Sequence, residues 1–150
     1  MSNGFLFEQL SDFKKKLYKD AQELFPKETN NFLTENAKAF KKEVQKTANS
    51  EVKKGDTRLN HKGKPTNYHK KFKVGKKYKR DGNICIRVFN SARHAHLIEQ
   101  GHILKSKSGK PIKFVSGKYV FKLAELHYTP EFLDRAEKFL YQFFDKTTEV

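Results

Sequence analysis

An Asp81-Gly82 pair, set between two runs in which apolar and polar residues alternate, limits more strictly than any other feature what this chain can fold into. Asp-Gly tolerates the positive φ angles of a two-residue hairpin turn, and alternation is the period of a strand with one buried face. Before the turn, Tyr68, Lys70, Phe72 and Val74 alternate with His69, Lys71 and Lys73; after it, Ile84, Ile86 and Val88 alternate with Cys85, Arg87 and Phe89. The pattern predicts an antiparallel hairpin over about 68–89. Phe72, Val74, Ile84, Ile86 and Val88 should face a core, with Cys85, Arg87 and Phe89 on the opposite face.

Helical periods flank the hairpin. Leu6, Leu10, Phe13, Leu17, Ala21 and Leu24 recur at steps of three and four, along one stripe of a helix. Pro26 is expected to end that helix, and Phe32 or Leu33, Ala37, Phe40, Val44 and Ala48 mark a second one over residues 28–52. Both stripes need a partner: they cover the sheet or each other, or they form a protruding arm that docks on a neighbouring subunit. Near the other end, Thr129-Pro130-Glu131 combines a capping hydroxyl, a proline suited to the first helical position and an acid near the positive helix end. The final helix is therefore expected from about 130 to 145. Phe132, Leu133, Ala136, Phe139, Leu140, Phe143 and Phe144 make it apolar over nearly half its circumference, more than one packing seam needs. Lys105 to Pro111 reads as an exposed loop, Ile112 to Val115 as a further strand, and residues 118–127 fit a strand or a helix.

A length of 150 residues sets about one domain, with a helical N-terminal region over residues 1–52, a basic loop over 53–67 and a sheet with helices over 68–150. The apolar fraction is low at 36%, but 14 Phe and 6 Tyr concentrate burial into a few large side chains, so the expected core is small and aromatic. No run is long and apolar enough to span a membrane, and the N-terminus lacks the pattern of a secretory signal, so a cytoplasmic site of synthesis and no membrane partner are expected. Cys85 is the single cysteine and has no internal disulfide partner. The net charge of +15 is concentrated: residues 53–80 hold twelve Lys or Arg against Asp56 alone, whereas residues 1–52 net +1 and residues 81–150 net +3. Such a block attracts a polyanion or an acidic protein surface. Lys62, Lys64, Lys70, Lys71, Lys73, Lys76 and Lys77 are the contact candidates.

Residues 90–102, reading NSARHAHLIEQGH, place an apolar pair among five ionisable side chains on about three helical turns. Asn90 or Ser91 can accept a hydrogen bond from a first-turn amide, and Gly101 can take the conformation that ends a helix, which predicts a short helix from Ala92 to Gln100. This segment resembles the signature of a phage tail-component family, the one named for gene product ten of phage Hong Kong ninety-seven. Tyr68 to Gly75 is similar to that family's strand before its central hairpin, and Phe114 to Val120 resembles its downstream segment, so the likeness covers about residues 55–128. Guided by it, residues 118–127 are read as helix. The expected fold is α+β: a small antiparallel sheet with two N-terminal helices, a short central helix and a C-terminal helix.

The resemblance implies a non-enzymatic virion protein of a phage or prophage, acting in head-tail joining as a neck or tail-completion protein. It would assemble with itself as a ring, meet connector, head-closure or tail proteins, and have possible contact with packaged DNA. Its places would be the host cytoplasm during assembly and then the virion. His94, His96, Ile98, Glu99, His102, Phe139 and Phe143 are the interface candidates, and Ile98→Asp is expected to block assembly. No catalytic residue, metal or cofactor is expected. His94, His96, Glu99 and His102 invite a metal or acid-base reading, but residues two apart on a helix point in different directions. The alternatives are a basic RNA-directed toxin or nuclease, with His94 or His96 as general base and Lys71 or Lys73 on phosphate, or a nucleic-acid binding module. Gly-x-Ser-x-Gly, phosphate-loop and paired-Cys motifs are absent, and Ser108-Gly-Lys110 and Ser116-Gly-Lys118 lack the length of a phosphate loop.

Overall fold

The structure, a computed structural model, describes residues 12–53 and 67–148. Residues 12–19 are helical, Asp20–Leu24 form a π-helical turn, and α1 continues over Phe25–Glu51. A 3-10 turn at Tyr68–Lys70 leads into β1 (Phe72–Arg80), β2 (Asn83–Asn90), α2 (Ala95–Gln100), β3 (Gly101–Lys105), β4 (Pro111–Ser116) and α3 (Val120–Thr148). The class is α+β, but the four strands form two separate antiparallel pairs, β1–β2 and β3–β4, with α2 between them. The loop at 105–111 is the tight turn of the second pair: Ser106 donates its amide to the Lys110 carbonyl at 2.8 Å. Leu6, Leu10, Lys62 and Lys64 lie outside the described residues, as does most of the basic loop assigned to 53–67.

Both prolines expected to bound helices lie within them. Pro26 cannot donate to the Gln22 carbonyl, and in a regular α-turn its ring would press on that group. The chain widens instead: the Phe25 amide reaches back five residues to Asp20, so residues 12–51 run as one helical rod in place of two helices. Pro130, expected at a helix start, sits inside α3. It deprives the Leu126 carbonyl of a partner, yet Leu126 is 64% exposed, so water can serve that carbonyl. The Thr129 hydroxyl, expected as a cap, donates to the Glu125 carbonyl at 2.7 Å. Continuing the helix keeps Tyr128 and Phe132 on the same packed face as Ala124 and Phe139, which offsets a lost hydrogen bond of about 1 kcal/mol.

α1 and α3 pack antiparallel, as the order of their ring contacts shows. Phe25 meets Phe143 edge-on with centroids 4.9 Å apart, Phe32 stacks on Phe139 at 4.7 Å, and Phe40 meets Tyr128 at 5.6 Å. Between these layers the Tyr128 hydroxyl donates to Asn36 Oδ1 at 2.7 Å, while Asn36 Nδ2 donates to the Phe32 carbonyl, so the buried amide is satisfied. Beyond the rings, the core closes on small residues: Val44, Ala48, Val52, Val120 and Ala124 surround Tyr68 and Phe72. The small side chains at this end of the helix pair leave room for Tyr68 and Phe72, which anchor the start of the hairpin there.

The β1–β2 turn is as expected, with positive φ at Asp81 and Gly82. Its register contains a feature that the alternation conceals. Outward from the turn, Arg80 pairs with Asn83, Lys79 with Ile84, Tyr78 with Cys85 and Lys77 with Ile86. Unbroken, that register would set Val74 opposite Phe89 and turn Phe72 and Val74 away from the isoleucines. A β-bulge between Val74 and Lys77 inserts one residue, so that Val74 pairs with Val88 and Phe72 with Asn90. Only through the bulge do Phe72, Val74, Ile84, Ile86 and Val88 share a face. Phe72 is buried and the other four are half-buried, as are Cys85 and Phe89 on the reverse. The bulge also carries Lys77 and Lys79 onto the face of Ile86 and Ile84, at the exposed margin of the ribbon.

Candidate interaction site

Residues 90–102 form the joint that connects the two hairpins to α3. Asn90 ties it at one end: its Nδ2 donates to the Tyr68 carbonyl at 2.9 Å, and its Oδ1 accepts the Ala92 amide at 2.8 Å. The adjacent Ser91 amide donates to the Lys71 carbonyl at 2.9 Å, clamping the segment to the start of β1. Helix α2 begins at Ala95, later than the expected Ala92, because this Asn90-centred turn occupies the first residues. Ala92, Ala95 and Ile98 then pack on the core cluster.

Gly101 ends α2 with φ 84° and ψ 176°, a backbone region essentially open to glycine alone. A Cβ there would stand 2.5 Å from the Val115 carbonyl, and one on Gly117 would collide with the carbonyl of Glu99. The two glycines let β4 cross the end of α2 at backbone contact. Lys118 then donates its amide to the Ile98 carbonyl at 2.7 Å, and Tyr119 to that of Glu99 at 3.2 Å. Tyr119 occupies the cap position of α3 with φ 49°, and its side chain offers no acceptor to the first helical turn. Glu99 supplies it from another element: its carboxylate accepts the Phe121 amide at 3.1 Å and the Lys122 amide at 3.4 Å. A carboxylate at the positive end of α3 is favoured by the helix dipole as well as by the bonds.

The interface candidates therefore have distinct surroundings. Glu99 caps α3, and Ile98 packs inward, so Ile98→Asp would damage the fold before it tested assembly. Phe139 and Phe143 face α1, against Phe32 and Phe25. His96 is exposed, while His94 and His102 are half-buried. The His94 ring lies 6.2 Å from that of Tyr68, which also meets His69 edge-on at 5.5 Å. Burial pushes the Tyr68 phenol well above its usual range, and the negative charge of Glu99 adds to the effect. Among the described residues no group of three His, Cys, Asp or Glu side chains is placed to hold a metal ion. An open groove of about 300 Å³ lies elsewhere, between the ribbon and the helices, lined by Leu33, Phe40, Ile86, Val88 and Phe132.

The polyanion candidates Lys70, Lys71, Lys73, Lys76 and Lys77 are all exposed along the 3-10 turn and β1, and Lys79 and Arg80 extend the row. Of the rings interleaved with them, Tyr68 and Phe72 are buried and Tyr78 is exposed. Of three further apolar surfaces, the sequence had already marked two, the leading helix as an arm and the wide apolar face of the last helix, and it missed the third, on β3–β4. Phe13 and Leu17 remain exposed on the leading helical rod; Ile103, Ile112 and Phe114 project from β3–β4; and Leu126, Leu133, Leu140, Tyr141 and Phe144 form an outward row on α3. Leu133, Leu140 and Phe144 belong to the face read from the sequence, and Leu126, seven residues before Leu133, extends it.

No curated protein and no solved structure matches the chain. A family model described as "Bacteriophage HK97-gp10, putative tail-component" matches residues 11–101, from the leading helix to the glycine that ends α2; the resembling segment at 114–120 lies beyond that match. With well over half of its length in that match, including the rod, the bulged hairpin and the Asn90–Gly101 joint, the chain belongs to the HK97-gp10-like family of phage tail components.

Proposed function

We propose that this tail-component protein acts in head-tail joining, as a neck or tail-completion protein, by assembling with copies of itself and with neighbouring connector, head-closure or tail proteins. The observation that carries the reading is the amount of apolar surface a single copy leaves open: Phe114 is 64% exposed, Ile112 61%, Leu133 60% and Ile103 55%. Rows of this kind mark protein contacts. A two-stranded hairpin such as β3–β4 is also marginal in water unless something packs on it.

The surfaces differ in charge, which favours contact between unlike patches. Residues 101–118 hold five Lys and no acid, so two such hairpins repel. α3 carries five acids against four Lys or Arg, and Glu137 lies among its exposed leucines. In the proposed contact the β3–β4 hairpin and the leading rod of one copy dock on the outer row of α3 in the next. That contact is head-to-tail, and repeated around an axis it closes a ring. The protein works by shape and charge and catalyses nothing; it acts in the host cytoplasm during assembly and then in the virion. Electron microscopy of particles made without this product tests the role. Separate DNA-filled heads and finished tails are expected, and normally joined virions would refute it.

A further inference from the structure

The geometry points to a second binding surface, distinct from the apolar contacts: the lysine row of β1 and its turn is a site for the phosphate backbone of duplex DNA, recognised by charge without regard to sequence. Lys73, Lys76, Lys77, Lys79 and Arg80 follow one strand, with Lys70 on the 3-10 turn just before it and Arg87 beside them on β2. At about 3.3 Å per residue, the nine residues of β1 extend this row over roughly 30 Å. Among the described residues, none of the five lysines has a carboxylate within ion-pair distance; Arg80 reaches Asp81 at 3.7 Å. The bulge contributes directly, since the register change sets Lys77 and Lys79 on the opposite face from Lys73. The charge is thereby displayed around the margin of the ribbon, not on one plane.

Two observations select the ligand class. Protein interfaces are depleted in lysine and are anchored by apolar or aromatic side chains at their centre. This strip has the reverse composition, while the apolar anchors of the molecule lie on the rod, β3–β4 and α3. A single-stranded nucleic acid would need a series of rings for its bases. With Tyr68 and Phe72 buried, Tyr78 is the one exposed ring on β1, so the strip is left with charge, which suits the regular phosphates of a duplex. Lysine in place of arginine fits point-charge contact with phosphates and not bidentate reading of base edges. The choice of DNA over duplex RNA rests on the proposed virion role; the binding surface does not.

Fluorescence anisotropy with the full chain and a 5′-labelled DNA duplex of arbitrary sequence tests the site. If about five phosphates are engaged, the plot of log affinity against log salt should have a slope near −4.5, a loss of roughly 500-fold between 50 and 200 mM salt. Lys77→Gln/Lys79→Gln should flatten that slope by about two. Lys38→Gln/Lys42→Gln, which removes equal charge from α1, should leave it unchanged. Both pairs are exposed, so circular dichroism should show unaltered folds. The site is overturned if the ribbon variant keeps the wild-type slope, if the control pair flattens it equally, or if single-stranded DNA or poly-glutamate competes as well as the duplex. A preference for duplex RNA would overturn the DNA assignment. A failure here would leave joined and unjoined particles to decide the assembly role separately.

Discussion

Replacing Glu99 by alanine removes the acceptor shared by two amides at the start of α3, and Tyr119 at the cap position has nothing to put in its place. Loss of an ordinary cap costs about 1 kcal/mol, and a hydrogen bond to a charged group is worth about 1.5–3 kcal/mol. Glu99 is half-buried, and its second contact is long at 3.4 Å, so a value near the lower end of the charged range applies. The expected cost is about 2 kcal/mol, which in a domain of this size lowers the melting temperature by about 4–8 °C. Glu99→Gln keeps an acceptor but loses the charge at the helix end, and should cost about half as much. The Tyr68 phenol should move down toward its ordinary value in both variants and stay above it, because burial is the larger cause of its displacement. Differential scanning calorimetry gives the stability, and the ultraviolet absorbance of phenolate gives the titration. If both variants melt within about 1 °C of the parent, the intramolecular cap is not the role of this carboxylate. If they also fail to join heads to tails, Glu99 belongs to an intersubunit contact instead.

Three further outcomes follow from the geometry. Gly117→Ala forces a methyl against the Glu99 carbonyl and Gly101→Ala adds one 2.5 Å from that of Val115, so each should destabilise by about 3 kcal/mol in chemical denaturation, whereas Gly82→Ala, which meets nothing nearby, should cost only its turn strain of about 1 kcal/mol. Tyr128→Phe leaves Asn36 Oδ1 without its 2.7 Å donor and should cost about 1–3 kcal/mol, some of which the double variant with Asn36→Leu recovers; a full sum of the two single losses would contradict the pairing. Burial raises the phenols of Tyr68 and Tyr128, so the folded state holds these protons more tightly than the unfolded one. Their contribution is complete below the unfolded value of about 10 and declines as pH rises past it, so the melting temperature should fall above roughly pH 10, less steeply in Tyr68→Phe.

Read alone, the sequence determined the features that are set within a few neighbouring residues. Asp81 and Gly82 turn the hairpin because their own φ angles permit it, Gly101 ends α2 for the same reason, and the three-and-four spacing of Ala37, Phe40, Val44 and Ala48 marks a packed stripe whatever lies opposite. Asn90 was visible as an acceptor for an amide two residues away, although the bond closes a turn ahead of α2 and does not cap the helix itself. Tertiary structure decided the rest. Whether Pro26 and Pro130 end a helix or sit inside one depends on what the continued helix can pack against, and the long α1–α3 contact outweighed two missing hydrogen bonds. The bulge after Val74 exists because two strands must put their apolar faces on the same helices, a condition that neither strand states by itself. Glu99 reads locally as one more charge on a short helix; it became the cap of α3 because Gly117 let a later segment cross within reach, 22 residues on in the chain. Local backbone preferences are encoded where they act, whereas the acceptor, the bulge and the unbroken helices are solutions to packing that arise only when distant segments meet.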